Sequence, residues 1–132
     1  MRKLLETHAL DKSICQIPIS RLEAIKDRSI QLKKDQLSHH ELRKRFDETD
    51  EELHTTIIEE VDNDLLKDFT ERIHNLISLT RHLNERIVTA IDEHLLLIDA
   101  IMNDDLEKAK LTLQDHLDNV EQEVIANHRS IS

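Results

Sequence analysis

Apolar residues recur along this chain at intervals of three and four, the spacing that lines one face of an α-helix. Six such runs can be traced. The first predicted helix covers about residues 1–14, with Leu4, Leu5, His8 and Ile14 pointing one way. "QIPIS" ends it, because Pro18 lacks a backbone donor and disfavours helix just before it. A second helix, about 19–36, carries Leu22, Ile25, Ile30 and Leu32. "LSHHE" opens the third, with Ser38 as N-cap and Glu41 three residues on as a capping box. This helix, about 39–61, carries the stripe Leu42, Phe46, Asp50, Leu53/His54, Ile57/Ile58 and Val61. "VDNDLL" interrupts, with Asp62 or Asn63 as a cap. The fourth helix, about 64–82, carries Leu65, Phe69, Ile73, Leu76 and Ile77, with Thr80 next on the stripe. "LNER" is a weak boundary before the fifth, about 85–102, which carries Ile87, Ala90/Ile91, His94/Leu95, Ile98 and Ile101. "MNDDLE" then turns the chain into the sixth, about 104–127, with Leu106, Ala109, Leu113, His116/Leu117, Val120 and Val124.

Composition agrees with an all-α bundle in a single domain over residues 1–132. There is no Gly, one Pro and two Phe, so the chemistry of strands and tight hairpins is nearly absent. Six helices are expected, with five or seven as alternatives, because such boundaries move by ~2–4 residues. The net charge of −10 repels phosphate backbones, which argues against direct nucleic-acid binding by this chain. No run of about 18 apolar residues exists to span a membrane. The first residues lack the hydrophobic stretch of a signal peptide. The one cysteine, Cys15, cannot form an internal disulfide, reads as a small core residue, and fits a reducing cytoplasm.

Three of the apolar stripes contain ionisable residues. Asp50 and His54 stand in line with Phe46 and Ile58; His94 stands between Ile91 and Ile98; His116 stands between Leu113 and Val120. A buried ionisable group is costly unless paired or bound to a metal. If the last two helices form an antiparallel hairpin about Asn103–Asp104, His94 lies about 9 residues before the turn and His116 about 12 after it. At ~1.5 Å per residue their depths then differ by ~4–5 Å, and the rings can converge. Asp50 and His54, on successive turns of one face, can chelate a single ion. One carboxylate with three imidazoles suits Zn2+, and also Ni2+, Mn2+ or Fe2+. Spacing alone leaves the alternative open that these are hydrogen-bonded core histidines.

The other histidines are weaker candidates. His8 is a reserve ligand, His39, His40 and His128 are expected in solvent, and His82 falls opposite the apolar face of its helix. His74 and Arg81, seven apart, line up on the flank of the fourth helix and, with Arg72, are candidates to pair with an anionic ligand.

These residues carry a family resemblance. "FDETDEELHTTI", then Asn63, then "IDEHLLLIDAIMNDDLEKAKLTLQDHL" resembles the FCD effector domain of GntR-type bacterial transcription regulators of the FadR/VanR kind. The family reads roughly F-x3-D-x3-H, an Asn, then E-H-x2-I-x2-A-I-x3-D-x2-A and a closing His–Leu. Phe46, Asp50, His54, Asn63, Glu93, His94, Leu97, Ala100, Ile101, Asp105, Ala109 (one place late), His116 and Leu117 fill those terms. "MRKLLE" resembles the family's opening R-x2-L-E segment, and Leu53 departs from the usual Phe. The resemblance implies an antiparallel bundle of six or seven helices that binds a small carboxylate effector. It also implies a divalent metal on Asp50, His54, His94 and His116, the four residues already singled out. Such regulators act as dimers and carry a winged helix-turn-helix DNA-binding domain, to which nothing here corresponds. An excised effector domain, or a truncated paralogue, is therefore expected.

Three function classes follow. The first is a metal-containing sensing and dimerisation domain of a transcription regulator. The second is a metal-dependent helical-bundle enzyme: "EELH" at 51–54 offers one Glu-x-x-His pair, but the fifth and sixth helices lack a second, and Glu93 points about 100° away from His94. The third is a metal-free structural or adaptor bundle.

Overall fold

A computed structural model describes the backbone of residues 2–59, 64–80 and 84–131, and within these the side chains of all but residues 2, 66, 74–80, 84–85, 124 and 126–131. The helices are α1 (Arg2–Ser13), α2 (Ile19–Lys34), α3 (His39–Glu59), α4 (Asp64–Thr80), α5 (Asn84–Met102) and α6 (Leu106–Ile131). No strand occurs among the described residues. Val61, Asn63, Arg81 and His82 lie outside the described residues, as do the side chains of His74, Leu76, Ile77, Thr80, Val124 and His128.

Local chemistry sets the ends. Pro18 is extended at φ −62°, ψ 129° immediately before α2. Ser38 Oγ accepts a hydrogen bond from Glu41 N at 3.2 Å and caps α3 as expected, while the Glu41 carboxylate lies 2.9 Å from Arg45 Nε, one turn on. The hairpin between α5 and α6 turns at Asp104, a non-glycine residue at φ 55°, a region that Asp tolerates better than most. Asp105 then caps α6 by accepting from Lys108 N at 3.2 Å.

Charged pairs between helices report their directions. Arg21 with Glu59, Arg28 with Glu52 and Arg45 with Asp35 run α2 against α3. Lys26 with Asp99 and Lys33 with Asp92 run α2 against α5. Lys3 with Asp118 and Lys110 with Asp11 run α1 against α6. In each set one number rises as the other falls, so these neighbours are antiparallel. α3 consequently runs parallel to α5, and Phe46 and Asp50 sit level with His94. Such exposed pairs add little stability; burial of apolar side chains does that work, at ~1.5–3 kcal/mol for each large one.

The main core joins Ala9, Leu10, Leu22, Ile25, Leu53, Ile57, Leu97, Ile98, Leu113 and Leu117, among others from α1, α2, α3, α5 and α6. A second cluster, Leu32, Phe46, Ile87, Ala90 and Ile91, lies toward the other end of the bundle. The stripes expected for α3, α5 and α6 are buried among the described residues, Leu42, Leu95 and Leu106 only in part. Two others are not. On α1 the inward face is Glu6, Ala9, Leu10, Ser13 and Ile14, whereas Leu4 and His8 face solvent. A glutamate and a serine on that face disguise it from an apolar-versus-polar reading. On α4, Leu65 and Phe69 are 82% and 37% exposed while Thr70 is buried. The first half of that stripe is exposed rather than buried. Cys15 is exposed as well, its Sγ 3.3 Å from Asp104 Oδ1.

Candidate metal centre

Asp50, His54, His94 and His116 meet between the two apolar clusters, all four buried, with one ligand atom from each lying within 4.8 Å of the others. α3 brings Asp50 and His54, one turn apart. α5 and α6 bring His94 and His116, which the hairpin sets at equal depth with their Nε2 atoms 3.1 Å apart. Asp50 Oδ1 lies 3.0 Å from His94 Nε2 and 3.1 Å from His54 Nε2. Phe46 stacks on the His94 ring at 5.3 Å and 14°, which accounts for a phenylalanine one turn before Asp50. His94 Nδ1 has no hydrogen-bond partner among the described residues, so packing, with the contacts at Nε2, orients this ring.

Two carboxylates stand behind the other rings. Glu6, fully buried on α1, is hydrogen-bonded to His54 Nδ1. Glu93, on α5, holds His116 Nδ1 of α6 at 2.8 Å. Glu93 in turn accepts from Asn119 Nδ2 at 2.6 Å and lies 3.4 Å from Arg86 Nη2. Arg86 Nε reaches 3.6 Å toward Glu123. A carboxylate accepts, so the protons of His54 and His116 are assigned to Nδ1, which turns both Nε2 lone pairs inward.

Burial favours the uncharged forms of His94 and His116 at neutral pH. Burial lowers the pKa of His94 from 6.5 to about 4, against the hydrogen bond to Asp50, and the neighbouring His116 and His54 lower it further. Burial also lowers that of His116, against its bond to Glu93. For Glu93 burial acts upward, but the hydrogen bond and charge of His116, helped by Asn119 and Arg86, bring its pKa below the ordinary carboxylate value.

The residues fit a divalent ion. With the tautomers assigned above, the lone pair of His54 Nε2 faces the Asp50 carboxylate oxygen at 3.1 Å, an acceptor against an acceptor. A cation between them would make that contact favourable. Four donors at ~2.0–2.2 Å from one ion stand roughly 3–4 Å apart, close to the separations found here.

Beside His54 a groove of about 200 Å3 opens between α3 and α4, lined also by Glu51, Thr55, Ile58, Glu59, Lys67, Thr70 and Glu71. Thr70 Oγ1 is buried there without a hydrogen-bond partner among the described residues. Of the three residues expected to receive an anion, Arg72 is exposed and pairs with Asp68 at 3.2 Å, Arg81 lies outside the described residues, and the side chain of His74 does too. Lys67, Glu6 and the contact of Glu93 with His116 were not anticipated. The R-x2-L-E segment was the one sequence signal pointing to Glu6.

An all-α bundle with one aspartate and three histidines buried around a common centre is thus the class of protein that fold and site define. The FCD domain family profile matches residues 1–119, and the chain belongs to that family. Among solved structures, the metal-free FCD domain of TM0439, a proposed transcriptional regulator, is similar at a TM-score of 0.82 and 35% identity, covering 98% of this chain and 89% of that one. No curated protein matches the chain significantly. The likeness to a regulator's FCD domain points to a regulatory role.

Proposed function

We propose that the chain is the effector-sensing and dimerisation domain of a GntR-type transcription regulator. On this reading Asp50, His54, His94 and His116 hold a divalent ion, Zn2+ ahead of Ni2+, Mn2+ or Fe2+. The observation that carries it is the convergence of four buried donor atoms with acceptor facing acceptor, two of the rings backed by carboxylates. When bound, the ion supplies a Lewis-acid anchor for an oxygen anion. The groove beside His54 supplies room for a small carboxylate, with Lys67 as the cation among its described lining residues. Glu51, Glu59 and Glu71 on that lining oppose a polyanion, so a carboxylate bearing a hydroxyl or amine fits better.

A similar FCD domain is folded while metal-free, so on this reading the bundle does not need the ion in order to form. DNA contact belongs to a winged-helix segment of the regulator, since the −10 charge of this chain opposes phosphate. Ligand binding shifts that contact by favouring one arrangement of a homodimer, which requires unequal affinity for the two arrangements. The exposed Leu65 and Phe69 of α4 support such a contact between copies. Among the described residues no helix is long and apolar enough to cross a membrane, which agrees with a regulator working in the cytoplasm. A hydrolase would need a base facing a metal-bound water; Glu93 is engaged by His116, Asn119 and Arg86 instead, which favours the sensor over an enzyme.

The test is a panel of small carboxylates, screened by thermal shift against zinc-loaded and chelator-treated protein. The expected result is stabilisation by some members only when zinc is present. Stabilisation by none, or to the same degree without zinc, removes the sensor reading.

A further inference from the structure

The groove beside His54 carries charge of both signs. α3 lends it Glu51 and Glu59, and α4 lends it Lys67 and Glu71. Glu59 already answers Arg21 of α2, while Glu51, Lys67 and Glu71 form no ion pair among the described residues. Counted away from residues 60–63, which join the two helices, Glu59 and Lys67 come first and Glu51 and Glu71 last, with His54 and Thr70 between. Thr70 adds a separate sign of a ligand. It is 3% exposed, and its Oγ1 has no hydrogen-bond partner among the described residues. A helical threonine ordinarily bonds back to a carbonyl of the preceding turn. On α3, Thr49 does so with Phe46 O at 2.9 Å and Thr56 with Glu52 O at 2.7 Å. Thr70 does not, although a buried hydroxyl left unanswered is costly. A polar group on a molecule seated in the groove would answer it.

We propose that this groove selects a small α-amino acid: its carboxylate lies at the ion beside His54, shared with Lys67, and its ammonium lies against Glu51 and Glu71 and donates to Thr70 Oγ1. The inference rests on the sensor reading above and narrows its ligand class. Charge decides between the candidates. The ion's charge is already offset by Asp50 beside it and by Glu6 and Glu93 behind the rings, so a second anionic group on the ligand meets Glu51 and Glu71 without a counter-charge. A neutral hydroxyl answers Thr70 but gains nothing from the charge of the two glutamates, whereas an ammonium answers all three. Lys67 and Glu71 stand one helical turn apart, ~5.4 Å along α4. That spacing suits opposite charges on neighbouring carbons of one small molecule rather than at the two ends of a long one. At about 200 Å3 the groove is also smaller than the ~300–1,000 Å3 that drug-sized ligands fill.

The experiment is a calorimetric titration of zinc-loaded protein with three matched series: L-alanine, L-lactate and propionate, then the corresponding acids with the side chains of serine and of leucine. Each series changes only the group on the second carbon, from ammonium to hydroxyl to hydrogen. Metal analysis after each titration confirms that the ion is retained. In at least one series the amino acid should bind about tenfold or more tightly than its hydroxyl analogue, a preference that shrinks as salt is raised. The double variant Glu51→Gln, Glu71→Gln should lose that preference. Thr70→Val, which removes the unanswered hydroxyl, should weaken binding of that amino acid about tenfold without lowering the Tm of the free protein. Hydroxyl analogues that bind as tightly as the amino acids in every series overturn the inference, while their zinc-dependent binding leaves the sensor reading standing. A preference that survives in the double variant overturns the role given to Glu51 and Glu71, and unchanged affinity in Thr70→Val overturns that of Thr70. Should a variant fail to fold, the wild-type comparison and its salt dependence decide. If no acid in any series binds, the sensor reading itself falls, and this inference with it.

Discussion

Acid should destabilise the metal-free protein chiefly through its buried histidines. In the folded chain His94 has its pKa lowered from 6.5 to about 4, burial being the largest cause. A group whose folded pKa is depressed contributes stability that is present above the unfolded value and lost as pH falls toward the folded one. For His94 that window runs from 6.5 down to about 4. At 1.36 kcal/mol per unit the full loss is about 3 kcal/mol, of which about 2 kcal/mol has gone by pH 5. For 132 residues the unfolding entropy is about 0.28 kcal/mol/K, so that loss lowers Tm by roughly 7 °C. The assay is thermal unfolding of chelator-treated wild type and His94→Leu between pH 7.5 and 5. Carboxylate protonation, which relieves part of the −10 charge, acts on both proteins and cancels in the comparison. The wild type should fall by roughly 7 °C more than the variant. His116, lowered in the same direction, adds a slope common to both. Parallel pH curves for the two proteins would refute burial of a neutral His94.

Two further outcomes follow from packing. Phe46 is fully buried and stacks on His94, so Phe46→Ala should cost about 3–5 kcal/mol in denaturant unfolding and weaken Zn2+ binding at the same time; full metal affinity in a folded variant would separate the ring from the site. Leu65 and Phe69 are exposed on α4, so if the proposed homodimer forms through them, the wild type should sediment as a dimer and the double variant Leu65→Ser, Phe69→Ser as a monomer, with monomer stability lowered by no more than about 0.5 kcal/mol; a dimer unchanged in the variant would place the contact elsewhere, and a monomeric wild type would remove the proposed dimer.

How much was readable in advance depended on what each helix buries. On α3, α5 and α6 the inner face is apolar except at Thr49, Thr56, Glu123 and the four residues Asp50, His54, His94 and His116, so the period stands out and ionisable residues on the expected stripes mark themselves. The depth match of His94 and His116 needed only the helix rise and the turn at Asp104. α1 defeated the same reading because its inner face carries Glu6 and Ser13, which a binary pattern assigns to water. On α4 the expected stripe begins with the exposed Leu65 and Phe69, and nothing in one chain's periodicity says whether an apolar face meets its own core. Helix geometry turns Glu93 ~100° away from His94, yet its partner stands on α6, and a side chain's target on another helix is invisible to single-helix geometry.

The central claim is tested most directly by metal content and melting on one sample. Protein purified without chelator should contain one transition-metal ion per chain, and the chelator-treated protein should melt higher when Zn2+ is restored. At a hundredfold excess over Kd the gain is about 2.7 kcal/mol, or roughly 10 °C, and Asp50→Ala and His116→Ala should each abolish it. No bound metal in the wild type, together with a melting temperature that Zn2+ and Ni2+ leave unchanged, would contradict the account.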